Sequence, residues 1–180
     1  MAQSLNTEMS KAVDRLAPLR AAVQAFTALA DAQADEARFL AEGREILADL
    51  ISDDGWLEDD FRKTHPQFYQ QYLLYCDPHQ RFSIRVLSGG PGQATPVHDH
   101  TVWGLVGVLQ GAERLRALQT DPQGFVADGG SVLLARGQVD AVSPTVGDIH
   151  KVSNALRIRP PSRSMSMGPI LAARRGMSLM

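Results

Sequence analysis

Pro96-Val97-His98-Asp99-His100-Thr101-Val102-Trp103-Gly104 is the stretch on which the fold turns, and Gly147-Asp148-Ile149-His150-Lys151-Val152-Ser153-Asn154 answers it further along. In a strand, residues two apart point to the same face, so His98 and His100 aim two imidazoles at one point. A third imidazole, His150 on a distant strand, completes a facial set of three neutral ligands. Such a set holds a divalent transition metal and leaves other coordination positions open. An isolated His-x-His carries little information; here the surroundings add to it. Gly92, Gly111 and Gly147 sit where tight turns must reverse short strands. Between them the chain reads as strand. Phe82-Ser83-Ile84-Arg85-Val86 alternates, and Leu105-Val106-Gly107-Val108-Leu109 is apolar.

Two histidine motifs on turn-delimited strands resemble the two motifs of the cupin superfamily. That resemblance implies a mainly β fold: a double-stranded β-helix barrel, with the N-terminal helices packed on it. Cupins usually carry a Glu four residues after the second His, where this chain has Gly104. Cupin barrels with Gly or Cys at that place, and three His ligands, are thiol dioxygenases.

Length and composition agree with one compact domain. At 180 residues the chain can bury a proper core. Its formal net charge of -2 offers no basic face to nucleic acid. The single cysteine, Cys76, excludes an internal disulfide framework and suits a reducing cytoplasm. Within Tyr72-Leu73-Leu74-Tyr75-Cys76 it reads as a small buried hydrophobe. Glu8, Lys11 and Asp14 interrupt the first apolar stretch, so no signal peptide is expected there. No run reaches membrane-spanning length.

Residues 1-66 read as a helical segment. Val13, Leu16, Leu19, Val23, Phe26 and Leu29 fall at helical spacing, with Pro18 expected to kink or break the helix. A second helix is predicted from Ala34 to Leu50, its apolar side carrying Phe39, Leu40, Ile46, Leu47 and Leu50. Its acidic start and the later Arg44 suit the helix dipole. Both helices read as packing elements. Asp53-Asp54-Gly55 and Asp59-Asp60 do not have EF-hand spacing and read as turn carboxylates. Residues 67-156 are assigned to the barrel core.

The middle of the chain narrows the family. Tyr69-Gln70-Gln71-Tyr72-Leu73-Leu74, Gln80-Arg81-Phe82-Ser83, Gly90-Pro91-Gly92-Gln93 and the first histidine motif are followed by Gly111-Ala112-Glu113. Ser143-Pro144, Gly147-Asp148, His150 and Val152-Ser153-Asn154 complete the set. Over residues 35 to 156 the chain is similar to bacterial thiol dioxygenases of the cysteine dioxygenase family. It most resembles the subgroup acting on 3-mercaptopropionate. The resemblance implies an Fe(II) cofactor held by His98, His100 and His150. The partners it implies are a small thiol (3-mercaptopropionate or cysteine) and O2, and the product is a sulfinic acid. Gln71 stands where animal enzymes place an Arg that pairs with the cysteine carboxylate. A Gln amide there is a neutral, weaker donor. Gly104 stands where the animal enzymes have the Cys of a Cys–Tyr crosslink, so that crosslink is not expected. Arg81 reads as one half of an ion pair. Trp103 reads equally as pocket wall and as core.

The end of the chain departs from that pattern. From Arg157 it reads Arg157-Ile158-Arg159-Pro160-Pro161-Ser162-Arg163-Ser164-Met165-Ser166-Met167, with no acidic residue to the end. The family has there a Ser-Ile-His-Val-Tyr-Gly strand whose Ser, His and Tyr form a relay beside the iron. No catalytic residue is therefore assigned. Permitted codons for Pro161 to Met167, read in another frame, give Ile-Ser-Ile-His-Val-Tyr, which points to a frameshift near Leu156. As written, Pro160-Pro161 and the polar run beyond predict a disordered 157-180 tail, with the last barrel strands missing or altered. Weak catalysis or none is then expected. The alternatives kept open are a non-catalytic metal-binding cupin and a different metal-dependent enzyme, such as a zinc hydrolase.

Overall fold

The computed structural model describes residues 15–145, 147, 149–155 and the backbone of 162–168. Helix α1 spans Ala17–Asp31 and helix α2 spans Glu36–Ser52, followed by a 3-10 turn at Asp59–Arg62. Pro18 stands at the expected break, with Leu16 a turn residue between helical Arg15 and the start of α1. It occupies the first turn, where its missing N–H costs nothing and its fixed φ starts the helix. Val13 lies outside the described residues. Asp35 caps α2 by accepting the Arg38 N–H at 2.9 Å. Glu36 lies in its acidic first turn, but the last turn holds no basic residue. Arg44 serves the packing instead, donating to the Val139 carbonyl.

Among the described residues eight strands follow: β1 Gln70–Cys76, β2 Ser83–Gly89, β3 Gly104–Gln110, β4 Ala112–Asp121, β5 Gly124–Ala135, β6 Val139–Val142, β7 His150–Asn154 and β8 Ser162–Gly168. One sheet has the order β1-β2-β8-β3-β6 and the other β5-β4-β7. Ala94 and His98 add bridges to β7, opposite Ser153 and His150. From β2 onward the chain passes repeatedly between the two sheets: β2, the Ala94–His98 segment, β3, β4–β5, β6, β7, β8. That winding is a double-stranded β-helix, the cupin-type fold expected from the histidine motifs.

Two apolar layers hold it together. Phe26, Phe39, Leu47 and Ile51 of the helices are buried against Ile84, Val86, Leu105 and Leu109 of the five-stranded sheet. The helices approach so closely that a Cβ on Gly107 would lie 2.8 Å from Ile51 Cδ1. Glycine is needed there to seat α2. Val108, Leu115, Leu134 and Val152 form a smaller cluster between the sheets.

Two expectations are corrected. Cys76 is exposed, not buried. The β1–β2 register slips between Leu73 and Tyr75, and Cys76 falls at the end of an outer strand. The larger correction concerns the tail. Ser162–Gly168, expected to be disordered, is a strand in the middle of the five-stranded sheet, paired with both β2 and β3. The rest of the tail lies outside the described residues. Ser164-Met165-Ser166-Met167 has the two-residue period of a strand. Met165 is in register with Val86 and Gly107, and Met167 with Ile84 and Leu105, all positions on the helix-facing side. Ser164 and Ser166 fall at the positions of the opposite face. The two prolines precede Ser162 and lie outside the described residues.

Candidate metal centre

His98 and His150 face each other across an antiparallel bridge. The His98 N–H donates to the His150 carbonyl at 3.0 Å, and the His150 N–H donates back at 2.9 Å. Such a pair sets both side chains on one face of the ladder. His100 is not on a strand: the chain leaves regular structure after His98, and Thr101 takes φ 54°. The turn nevertheless brings the third imidazole to the same place. His150 Nε2 lies 3.2 Å from His98 Nε2 and 3.2 Å from His100 Nε2. One ring nitrogen from each residue falls within 4.8 Å of the others, and no other described group of His, Cys, Asp and Glu gathers in this way.

The spacing suits a metal. Two ring nitrogens each about 2.1 Å from one ion stand roughly 3.0–3.4 Å apart at octahedral to tetrahedral angles. The tautomer also suits it. His98 Nδ1 lies 3.0 Å from the Pro96 carbonyl, which can only accept. Nδ1 therefore carries the proton and Nε2 presents a lone pair toward the cluster. Burial, with the neighbouring His98 and His100 adding to it, pushes the His150 imidazole down to about 3. It stays neutral at pH 7, as a metal ligand must. His150 also lines a cavity of about 430 Å³ between the sheets, with Leu115, Leu118, Val132, Asp140 and Val142.

This has a pH consequence for the metal-free protein. His150 moves from 6.5 unfolded to about 3 folded, so between those values the unfolded chain binds more protons. Stability is complete above pH 6.5 and falls as the pH drops through that window, at up to about 1.4 kcal/mol per pH unit. Asp77, held down to about 2 from 3.8 chiefly by the Arg81 hydrogen bond, adds a further loss below pH 4. Urea unfolding at stepped pH should show both losses. A flat profile from pH 7 to 4 would contradict the buried neutral His150.

The remaining residues singled out by sequence find these places. Gln71 is exposed on β1, opposite Leu87. Ile84 and Val86 are buried against the helices, so Arg85 and Leu87, and with them Gln71 and Leu73, lie on the other face of the sheet, toward the second sheet. Arg85 sits diagonal to Gln71 on that face. The sequence pattern had passed over it as one polar member of an alternating strand. It is half-buried and has no hydrogen bond or ion pair among the described residues. Arg81 is the ion-pair residue expected, with Asp77 at 2.9 Å and Asp31 at 2.5 Å. Trp103 packs on Phe39 at 4.3 Å between ring centroids, on the helix side, and so belongs to the core. Asp54 is not a free turn carboxylate; it pairs with Arg62 at 2.9 Å and accepts from Gln110. Glu113 and Asn154, from two separate sequence motifs, are register partners on β4 and β7, and both are buried. Asn154 Nδ2 donates to the Gly89 carbonyl at 3.1 Å, which ties the second motif to the end of β2.

No protein-family model matches the chain. Solved structures similar to it include a cupin superfamily protein from Desulfitobacterium hafniense DCB-2, 15% identical, covering 60% of this chain and 83% of that one at a TM-score of 0.46. A protein with a double-stranded β-helix domain from Klebsiella pneumoniae is 16% identical, with coverages of 62% and 84% and a TM-score of 0.49. A cupin 2 conserved barrel domain protein from Salinispora arenicola CNS-205 is 19% identical, with coverages of 58% and 77% and a TM-score of 0.44. Among the described residues, no helix is long and apolar enough to cross a membrane.

Proposed function

We propose that this chain is an Fe(II)-dependent thiol dioxygenase that converts a small carboxylated thiol, 3-mercaptopropionate before cysteine, to its sulfinic acid. The supporting observation is the convergence of three imidazoles, with His150 Nε2 3.2 Å from both His98 Nε2 and His100 Nε2, beside a cavity that His150 lines. Iron(II) held by His98, His100 and His150 would supply a Lewis-acid and redox centre for a thiolate and O2. The balance is thiol plus O2 to sulfinic acid, with both oxygen atoms on sulfur and no external reductant. The residues of the chain do the rest. Pro96 holds His98 in the ligating tautomer, and burial keeps His150 unprotonated. Gln71 and Arg85 together receive the substrate carboxylate. The amide alone is a weak donor, and the guanidinium adds a charged fork.

The test is O2 uptake by the iron-loaded protein with 3-mercaptopropionate, cysteine and cysteamine, with labelled O2 tracked into the sulfinate. The expected result is two labelled atoms per product and a preference for 3-mercaptopropionate. Intact iron-loaded protein that consumes no O2 with any of the three would overturn the reading. Gln71→Ala and Arg85→Ala should each raise KM for 3-mercaptopropionate about ten- to a hundredfold, the cost of a charge-assisted hydrogen bond, and leave cysteamine unchanged. A second reading rests on residues 157–180, which lack the Ser-His-Tyr pattern of the relay strand. On it the protein is a cupin that binds metal without turnover, and stoichiometric metal with no O2 uptake would mark it. Zinc with hydrolytic activity would mark a different enzyme on the same three ligands.

A further inference from the structure

We propose that the outer edge of β5 is a self-complementary interface through which two copies of this chain pair, antiparallel, about a twofold axis at Gly129. Strand β5 is the outermost strand of the three-stranded sheet, and nearly all of it is exposed. It carries four of the exposed large apolar residues: Phe125 at 57%, Val126 at 37%, Val132 at 55% and Leu133 at 51%. An edge of this length and apolarity is a template for another strand.

The hydrogen-bonding direction of the edge follows from its neighbours. On β4, the Leu118 N–H donates to the Ile149 carbonyl at 2.9 Å, and Ala112 accepts from Ala155 at 3.0 Å. The even residues of β4 therefore spend their backbone groups on the β7 side, and the odd ones spend theirs on β5. Glu113, Leu115 and Gln119 stand opposite Leu134, Val132 and Val126. Val126, Val132 and Leu134 are thus taken up by β4. Phe125, Ala127, Ser131 and Leu133 point their N–H and C=O groups outward. Ala135 agrees with this parity, because its N–H donates to the Gln138 side chain at 2.7 Å and not to β4.

A twofold at Gly129 joins these free groups to each other. Phe125 of one copy falls opposite Leu133 of the next, and Ala127 falls opposite Ser131, each a hydrogen-bonded pair of odd residues. Val126 falls opposite Val132. All four exposed apolar side chains are matched as direct cross-strand neighbours. The one charged residue of the strand, Asp128, meets Gly130 and no like charge. The β4–β5 register shifts between Arg116 and Leu118, and Gly129 takes φ 75°. This bulge lies on the axis, so both copies bend at the same point. The contact is isologous and closed, and it joins two three-stranded sheets into one of six strands.

Sedimentation equilibrium at micromolar concentration tests this. The full chain should be a dimer. Ala127→Pro removes one outward N–H without touching the β4 ladder, and it should shift the protein to monomer while leaving circular dichroism and metal content unchanged. Phe125→Lys and Leu133→Glu should each dissociate the dimer. The double variant should restore it, because the register sets the introduced lysine against the introduced glutamate. Independently of any variant, the amides of Phe125, Ala127, Ser131 and Leu133 should gain hydrogen-exchange protection with rising concentration. A monomeric wild-type chain, a dimer indifferent to Ala127→Pro, or a double variant that stays dissociated would each overturn the proposal.

Discussion

His150→Ala is expected to remove metal binding while leaving the barrel folded. The wild-type protein, incubated with Fe(II) or Zn(II) and desalted, should retain about one ion per chain, and the variant should retain none at the same concentration. Loss of one of three ligands should weaken affinity by more than the ten- to hundredfold typical of second-shell partners. The fold should survive because the ties that hold His150 in place are backbone bonds, reciprocal with His98 at 2.9 and 3.0 Å, and alanine keeps them. The same variant carries an internal control. It deletes the buried imidazole held down to about 3, so the loss of stability between pH 6.5 and 4 should flatten in the metal-free protein. Metal loss together with a flattened acid slope identifies a ligand. Metal retained in full by His150→Ala would show that the three imidazoles do not form the site.

Met165→Pro is expected to abolish cooperative folding. Met165 lies at the centre of β8, in register with Val86 on one side and Gly107 on the other. A central strand uses every backbone N–H, and proline supplies none, so the substitution breaks a ladder and places a ring against the neighbouring strand. The cost is about 3 kcal/mol or more, against a total stability of roughly 5–15 kcal/mol for a domain of ordinary stability. Ending the chain after Leu156 should be at least as severe. It leaves β2 and β3 with facing rows of unpaired backbone groups in the middle of the sheet. Thermal unfolding followed by circular dichroism and limited proteolysis reads both variants. A sharp wild-type-like transition for the chain ending at Leu156 would show that Ser162–Gly168 is dispensable.

Much of this was legible because local physics and tertiary need agreed. Turn glycines took the positive φ that makes them turn residues: Gly92 at 75°, Gly111 at 79° and Gly147 at 106°. The apolar run Leu105–Leu109 became a strand buried on both faces, because helices cover one side and the second sheet the other. Where a residue's role depended on its neighbours in space, sequence misled. Cys76 was read as buried from the run it ends, but it lies at the end of an outer strand beyond a register slip. Ser162–Gly168 was rejected on composition, yet a slot bounded by two strands supplies backbone partners that weak propensity does not.

What the sequence determined by itself was the three-histidine cluster and the class of fold. Three histidines in two motifs, separated by strand-length runs and turn glycines, allow few other arrangements. Tertiary structure decided the rest. It brought His100 to the cluster from outside any strand, fixed the His98 tautomer through Pro96, and turned Arg85 to the same face as Gln71. It also threaded β8 between β2 and β3. Each of these is a contact between segments distant in sequence or a consequence of burial, and side-chain periodicity holds information only about which face a residue takes, not about what stands opposite it.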